Sequence, residues 1–290
     1  MNRKKTFIIL TVSIAIAAAC AALTGILSNA GTGPYDYTSI RGNKVVIYGY
    51  GVYKHMSAEV AIQGIAQDYI TLCIAVPLLL LSLFFTHKGS VKGRYVLAGT
   101  LAYFLVTYLF YLTMGMYNIL FLVYAYLLAA SFFSFLLILL SFKLSDIDKL
   151  FTRQAPTKIS GGFLIFIAIA IGFLWLSIII PPLLDSSIYP VEVEHYTTLI
   201  VQGLDLGLLL PLGFVSGYLL IRKNPYGLLA GPVYLVFLSL LMAALTTKIA
   251  FMGFHGYNII PVIFIIPTFM IISASCSVWI LKNVRETYSD

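Results

Sequence analysis

The sequence predicts an all-α polytopic membrane protein, a transmembrane bundle of about eight spans in a four-plus-four parallel internal repeat. Three observations carry that expectation. The 290 residues are 60% hydrophobic and only 10% charged, against about 25% charged in a typical soluble domain. Several uncharged apolar runs reach the roughly 18–20 residues that cross about 30 Å of hydrocarbon as a helix, and helices or closed barrels alone satisfy the backbone there. Two stretches, one following Asp68 and one following Gln202, place a proline, a serine and a basic stop in the same order and spacing: Pro77, Ser82 and Lys88 answer Pro211, Ser216 and Arg222.

The chain opens on MNRKK and an apolar run over 7–27. A basic start, an apolar stretch and small residues also describe a cleaved signal peptide, and Ala17-Ala18-Ala19-Cys20 is a weak lipobox. The run is long enough to span, and the second half has its own leading span, so retention is the preferred reading. A polar connection of about 40 residues follows. Within it, 44–56 alternates β-formers around Gly49 and Gly51, which predicts a small β-hairpin. Ser57 then caps a helix that carries Glu59, Gln63 and Gln67 into span two, 69–86. The loop 87–94 leads to span three, 95–113, and Gly115 to Asn118 turn the chain into span four, 119–142.

The first repeat is 1–142, a basic linker covers 143–160, and 161–290 repeats the plan. Span five, 162–180, is expected to stop at Pro181-Pro182. An acidic loop at 185–195 precedes span six, 199–221; spans seven and eight cover 226–246 and 258–281. Val96-Leu97-Ala98-Gly99 answers Leu228-Leu229-Ala230-Gly231, and Tyr117-Asn118-Ile119 answers Tyr257-Asn258-Ile259.

Charge orients the bundle. With the N-terminus cytoplasmic, all but four of the 18 basic residues fall inside; the exceptions are Arg41, Lys44, Lys54 and Lys248. That asymmetry predicts an inner (plasma) membrane protein with both termini cytoplasmic. Repeats with an even number of spans then share one orientation, unlike inverted repeats. The net charge of +7 is scattered over short loops, so nucleic acid is not an expected partner. The lipid bilayer is, and a small molecule or ion is the candidate substrate.

The polar chemistry concentrates on the outer side. Glu59, Gln63 and Gln67, and again Glu194, Thr198 and Gln202, are spaced by four and so share helix faces. Asp205 lies about one turn inside span six, where an ionised carboxylate costs a few kcal/mol unless water or a partner meets it. Lys248 lies at similar depth and is its expected partner. These residues, with Gln202, Asp68, Gln67 and Glu59, form the mouth of an expected outward-facing polar cavity for a small solute or ion; the alternative is an interfacial ion pair that only locks spans six and seven. Tyr103, Thr107 and Tyr111 share a face of span three, and Tyr103 and Tyr124 lie deep enough to need hydrogen-bond partners. Both line an internal cavity, or else fix helix packing.

A second reading is a membrane enzyme or assembly factor acting on lipid, quinone or a metal, with His55, His195 and His255 converging at the outer face. No HExxH supports it. A third is a scaffold or sensor that captures a partner through 44–56, with the bundle folding without that segment. Cys20, Cys73 and Cys276 read as small packed hydrophobes. No Walker sequence, GxGxxG, GxSxG or haem-ligating histidine pair is present, so no cofactor is implied. The paired Pro77 and Pro211 are candidate hinges, and Pro232, Pro261 and Pro267 candidate kinks.

Overall fold

The computed structural model describes residues 3–286. Among the described residues, eight helices are long and apolar enough to cross a membrane: Lys5–Leu27, Ala58–His87, Val91–Thr113, Phe121–Leu139, Thr157–Leu184, Ile200–Ile221, Pro225–Phe254 and Val262–Lys282, called spans one to eight below. Large apolar side chains such as Phe173, Phe264 and Ile271 stand exposed around the bundle, which water would penalise and lipid would not. Spans three and seven are the most buried and pack against each other at the centre. Span one contacts spans two and four, and spans three and four close the group. Spans five to eight make the corresponding contacts in the other half. Span one buries Ile14 and Ala18 completely and is built into the bundle. Of the cysteines, only Cys276 is buried; Cys20 and Cys73 face outward, against the expectation that all three are packed.

At one end, the connection after span one forms a two-stranded antiparallel sheet, β1 (Tyr35–Thr38) and β2 (Lys44–Ile47). The hairpin expected over 44–56 is not what forms. Its first half is β2, paired backward to β1, while Gly49 and Gly51, at φ of 79° and 57°, turn the chain into a short 3-10 helix, Gly51–Tyr53. That turn is part of the core rather than a detachable loop, since Val52, Tyr53 and Met56 are buried. Ser57 caps span two as expected, accepting from the Val60 amide.

The strand-bearing end is covered by two loops stitched together. Arg41 donates to the Tyr196 and Thr197 carbonyls at 2.9 and 3.2 Å and lies over the Tyr189 ring. The Ser57 amide donates to the Tyr196 phenol oxygen at 3.2 Å. The expected helical stripe Glu194, Thr198, Gln202 does not form, because Glu194 follows a 3-10 turn at φ 48° and span six begins only at Ile200. Span five runs through Pro181 and Pro182 to Leu184 instead of stopping. The two prolines free the carbonyls of Ser177 and Ile178 one turn back, and the helix ends two residues after them.

Spans two and six share a run of local events 134 residues apart. Each holds a five-residue π-helical segment, Thr71–Ala75 and Asp205–Leu209, ending two residues before Pro77 and Pro211. Proline offers no N–H and its ring crowds the carbonyl four residues back, and a wide π turn takes up the misfit. Ser82 and Ser216 are both buried. The next helices end at Lys88 and Arg222, followed by Gly89 and Lys223 at φ 91° and 52°. Ser90 and Asn224 then cap spans three and seven. A Cβ on Gly93 would strike Phe85 and Thr86, and one on Gly227 would strike Leu219 and Leu220. Asn118 and Asn258, in turn, each accept from the amide two residues on, at 2.9 and 3.1 Å.

The opposite end is closed by the loops carrying most of the basic residues. Phe151 bridges to Val284, Thr152 bonds Asn283 at 2.6 Å, and Glu286 accepts from Ser90 and the Val91 amide. Arg3 and Lys4, counted in the charge asymmetry, have side chains outside the described set, as does the chain beyond 286.

Candidate functional site: a vestibule and a deep cavity between the halves

Two adjoining hollows lie on the strand-bearing side of the bundle. The outer one, about 800 Å³, lies beneath the stitched loops and is lined by Glu59, Glu194, His195, Gln202 and Tyr257 among others. The inner one, about 350 Å³, lies between spans two, three, five, six, seven and eight. Val60, Gln63, Met114, Gly115, Trp175 and Val201 border both, so the vestibule and the deep cavity adjoin across these side chains. The deep walls are largely aliphatic and aromatic, with a few polar groups from each half, the usual make-up of a small-molecule pocket.

Span two supplies Gln67, whose Nε2 donates to Tyr103 at 2.5 Å and to Thr107 at 3.3 Å. The face shared by Tyr103, Thr107 and Tyr111 therefore packs against span two, and all three line the cavity. Across it stands Asp205, at the first position of the π segment in span six. Its Oδ2 accepts from the Trp175 indole at 2.8 Å. Lys248 faces the same cavity from span seven, within electrostatic reach of both Asp68 and Asp205.

The direct pair expected between Lys248 and Asp205 is not formed. Among the described residues no carboxylate lies within 4.0 Å of the ammonium; the single ion pair is Lys149 with Asp146, at 3.1 Å. Asp205 is held by indole instead, which leaves the lysine turned toward the cavity. Tyr234 completes this side, donating to the Leu209 carbonyl at 2.7 Å and filling the space above Gly213.

Asp68, expected at the mouth, is buried and lines neither hollow. Tyr53 donates to its Oδ2 at 2.5 Å and Tyr111 to its Oδ1 at 2.8 Å. A Cβ on Gly25 of span one would overlap the same carboxylate. Burial, with the adjacent Asp68 charge next, holds the Tyr53 phenol well above the ordinary tyrosine range, so it stays a proton donor. Asp68 thus knots the 3-10 turn to spans one, two and three. Tyr124 also lies off the cavity, buried against Tyr108 and Tyr111 at ring separations of 6.0 and 5.0 Å. Its role is packing within the first half.

The three histidines do not converge. His195 Nε2 meets the His55 backbone carbonyl at 3.0 Å, while the His195 ring packs on Tyr37 and Tyr196. His255 Nδ1 meets the Phe251 carbonyl of its own helix at 2.8 Å. No group of three His, Cys, Asp or Glu side chains able to hold a metal occurs among the described residues. The His195 and His255 rings are engaged by backbone carbonyls and, for His195, by neighbouring rings.

Trp175 and Tyr234 were not singled out in the sequence. The signal was faint, one indole N–H and one phenol inside long apolar runs, each of which needs a partner when buried. No protein-family model matches the chain, and neither a curated protein nor a solved structure matches it. The geometry alone carries the functional reading.

Proposed function

We propose that this multi-pass protein binds a small solute in the deep cavity and admits it from outside the cell through the vestibule. The observation that supports the reading is the pair of adjoining hollows, the inner one walled by both Asp205 and Lys248 between the two halves. Groups of opposite charge at the depth of the hydrocarbon are costly and rarely kept without a task. The orientation follows from charge: the end opposite the strands carries the basic loops, so the strand-bearing end faces outward in a plasma membrane and both termini are cytoplasmic.

The reading includes a duplicated four-span unit, 1–142 and 161–290, joined by 143–160. Its support is the 134-residue recurrence of π segment, proline, buried serine, left-handed turn residue, cap and close-packed glycine. Two like units facing each other across spans three and seven create a cleft between them, and rocking of one unit against the other is a known route for moving a solute past such a site.

The test is binding and uptake across a broad solute panel by wild type, Asp205→Asn and Lys248→Met. Selective loss of binding or uptake of one solute class, with the melting temperature within a few degrees of wild type, supports the proposal. Unchanged binding and uptake with lowered melting temperature would assign both residues to packing alone.

A further inference from the structure

We infer that the ligand of the deep cavity is a small zwitterion with an apolar body, of which an apolar amino acid is the simplest case; this rests on the solute-binding reading above. Asp205 and Lys248 border one cavity yet stand farther apart than the 4.0 Å of an ion pair. Each also keeps bonding capacity in hand. The lysine ammonium, a donor of three hydrogen bonds, makes none to the described residues, and Asp205 uses Oδ2 on Trp175 while Oδ1 receives no protein donor among them. An opposite pair held apart in a low-dielectric cavity is completed by a molecule that brings a carboxylate to the lysine and an ammonium to the aspartate.

Counting charge narrows the class. With Asp205 and Lys248 both ionised, the two charges on the cavity wall cancel. A lone anion would bring a like charge to Asp205, and a lone cation would bring one to the ammonium. A zwitterion adds no net charge and satisfies both groups. The remaining walls, including Leu209, Phe237, Leu241 and Ile171, accept an apolar side chain. A volume of about 350 Å³ lies near the lower end of the roughly 300–1,000 Å³ typical of ligand pockets, which suits a molecule of amino-acid size.

The experiment uses the full chain in lipid nanodiscs with leucine, 3-methylbutylamine and 4-methylpentanoate, which share one apolar body and carry both charges, the cation alone or the anion alone. Leucine is expected to bind roughly tenfold to a hundredfold more tightly than either analogue, the worth of one charge-assisted hydrogen bond. Asp205→Asn should reduce leucine to the affinity of 4-methylpentanoate, and Lys248→Met to that of 3-methylbutylamine. Equal affinity for all three, or preference for a singly charged analogue, overturns the inference, and the wild-type series decides this even if the variants fail to fold. Protection of Leu241→Cys from a water-soluble maleimide separates the two levels: labelling that leucine does not slow sinks the zwitterion alone, whereas no labelling removes the open cavity itself.

Discussion

At the scale of single residues, neighbours in sequence have divergent tasks. Gln67 faces the cavity, while Asp68, about 100° further round the helix, turns into the first half and accepts from Tyr53 and Tyr111. Asp68→Asn leaves one phenol facing an amide donor, so it is expected to cost about 1–3 kcal/mol, read as a lower apparent melting temperature in detergent with ligand binding retained by the folded fraction. Loss of binding without loss of stability would place Asp68 in the site instead. Tyr196 offers a pH test. Burial, its largest cause, pushes this phenol up to about 12, above its ordinary value, so the stabilisation is complete below about pH 10 and is lost as pH rises from there through 12. Tyr196→Phe, lacking the acceptor for Ser57, should melt lower than wild type at pH 8, and the gap should close between pH 10 and 12. A constant gap would show that Tyr196 does not titrate against the fold.

The stripe Glu59, Gln63, Gln67 was legible because four-residue spacing fixes a shared helix face. The partner of Asp205 was not, because Trp175 lies 30 residues earlier on another span, and nothing in spacing reports which side chains meet across helices. Lys248 at similar depth was the reasonable expectation from charge, and the indole won the hydrogen bond.

At the scale of elements, the π segments decide how spans two and six present their polar residues. Prolines at 77 and 211 were visible as breaks in the ladder, but the sequence could not say whether the helix kinks, ends or widens. It widens, over five residues each time. Pro211→Ala restores an N–H, allowing the ladder to close as α-helix and slip the preceding turn by one residue. That rotation should break the 2.8 Å bond between Trp175 and Asp205. The protein has two tryptophans, so in a Trp279→Phe background a changed Trp175 emission maximum reports the slip. Identical emission would mean that packing, not the proline, imposes the π turn. The hairpin was misplaced for a related reason: β-forming alternation marked 44–47 correctly, but glycines at 49 and 51 turn the chain inward instead of reversing it into a second strand.

At the scale of the whole molecule, span count and approximate bounds were legible from apolar length alone, since lipid leaves few alternatives. The contact between halves was not. It depends on Gly99 of span three, where a Cβ would collide with the Val236 side chain and approach the Val233 carbonyl of span seven. Gly99→Val is expected to destabilise by about 1–3 kcal/mol through overpacking, measured by thermal melting. Gly162→Ala, on an open surface, should melt like wild type; equal effects of the two would deny that this contact holds the halves.

A deep cavity that opens through the vestibule to the outside of the cell should be reachable from that side alone, which side-specific labelling of one buried position can measure. Leu241, which lines only the deep cavity, is replaced by cysteine in a background with Cys20, Cys73 and Cys276 changed to alanine. A membrane-impermeant maleimide is then applied to intact cells and to inverted membrane vesicles. Labelling in intact cells with little in inverted vesicles is the predicted result; labelling only in inverted vesicles, or in neither, would contradict it.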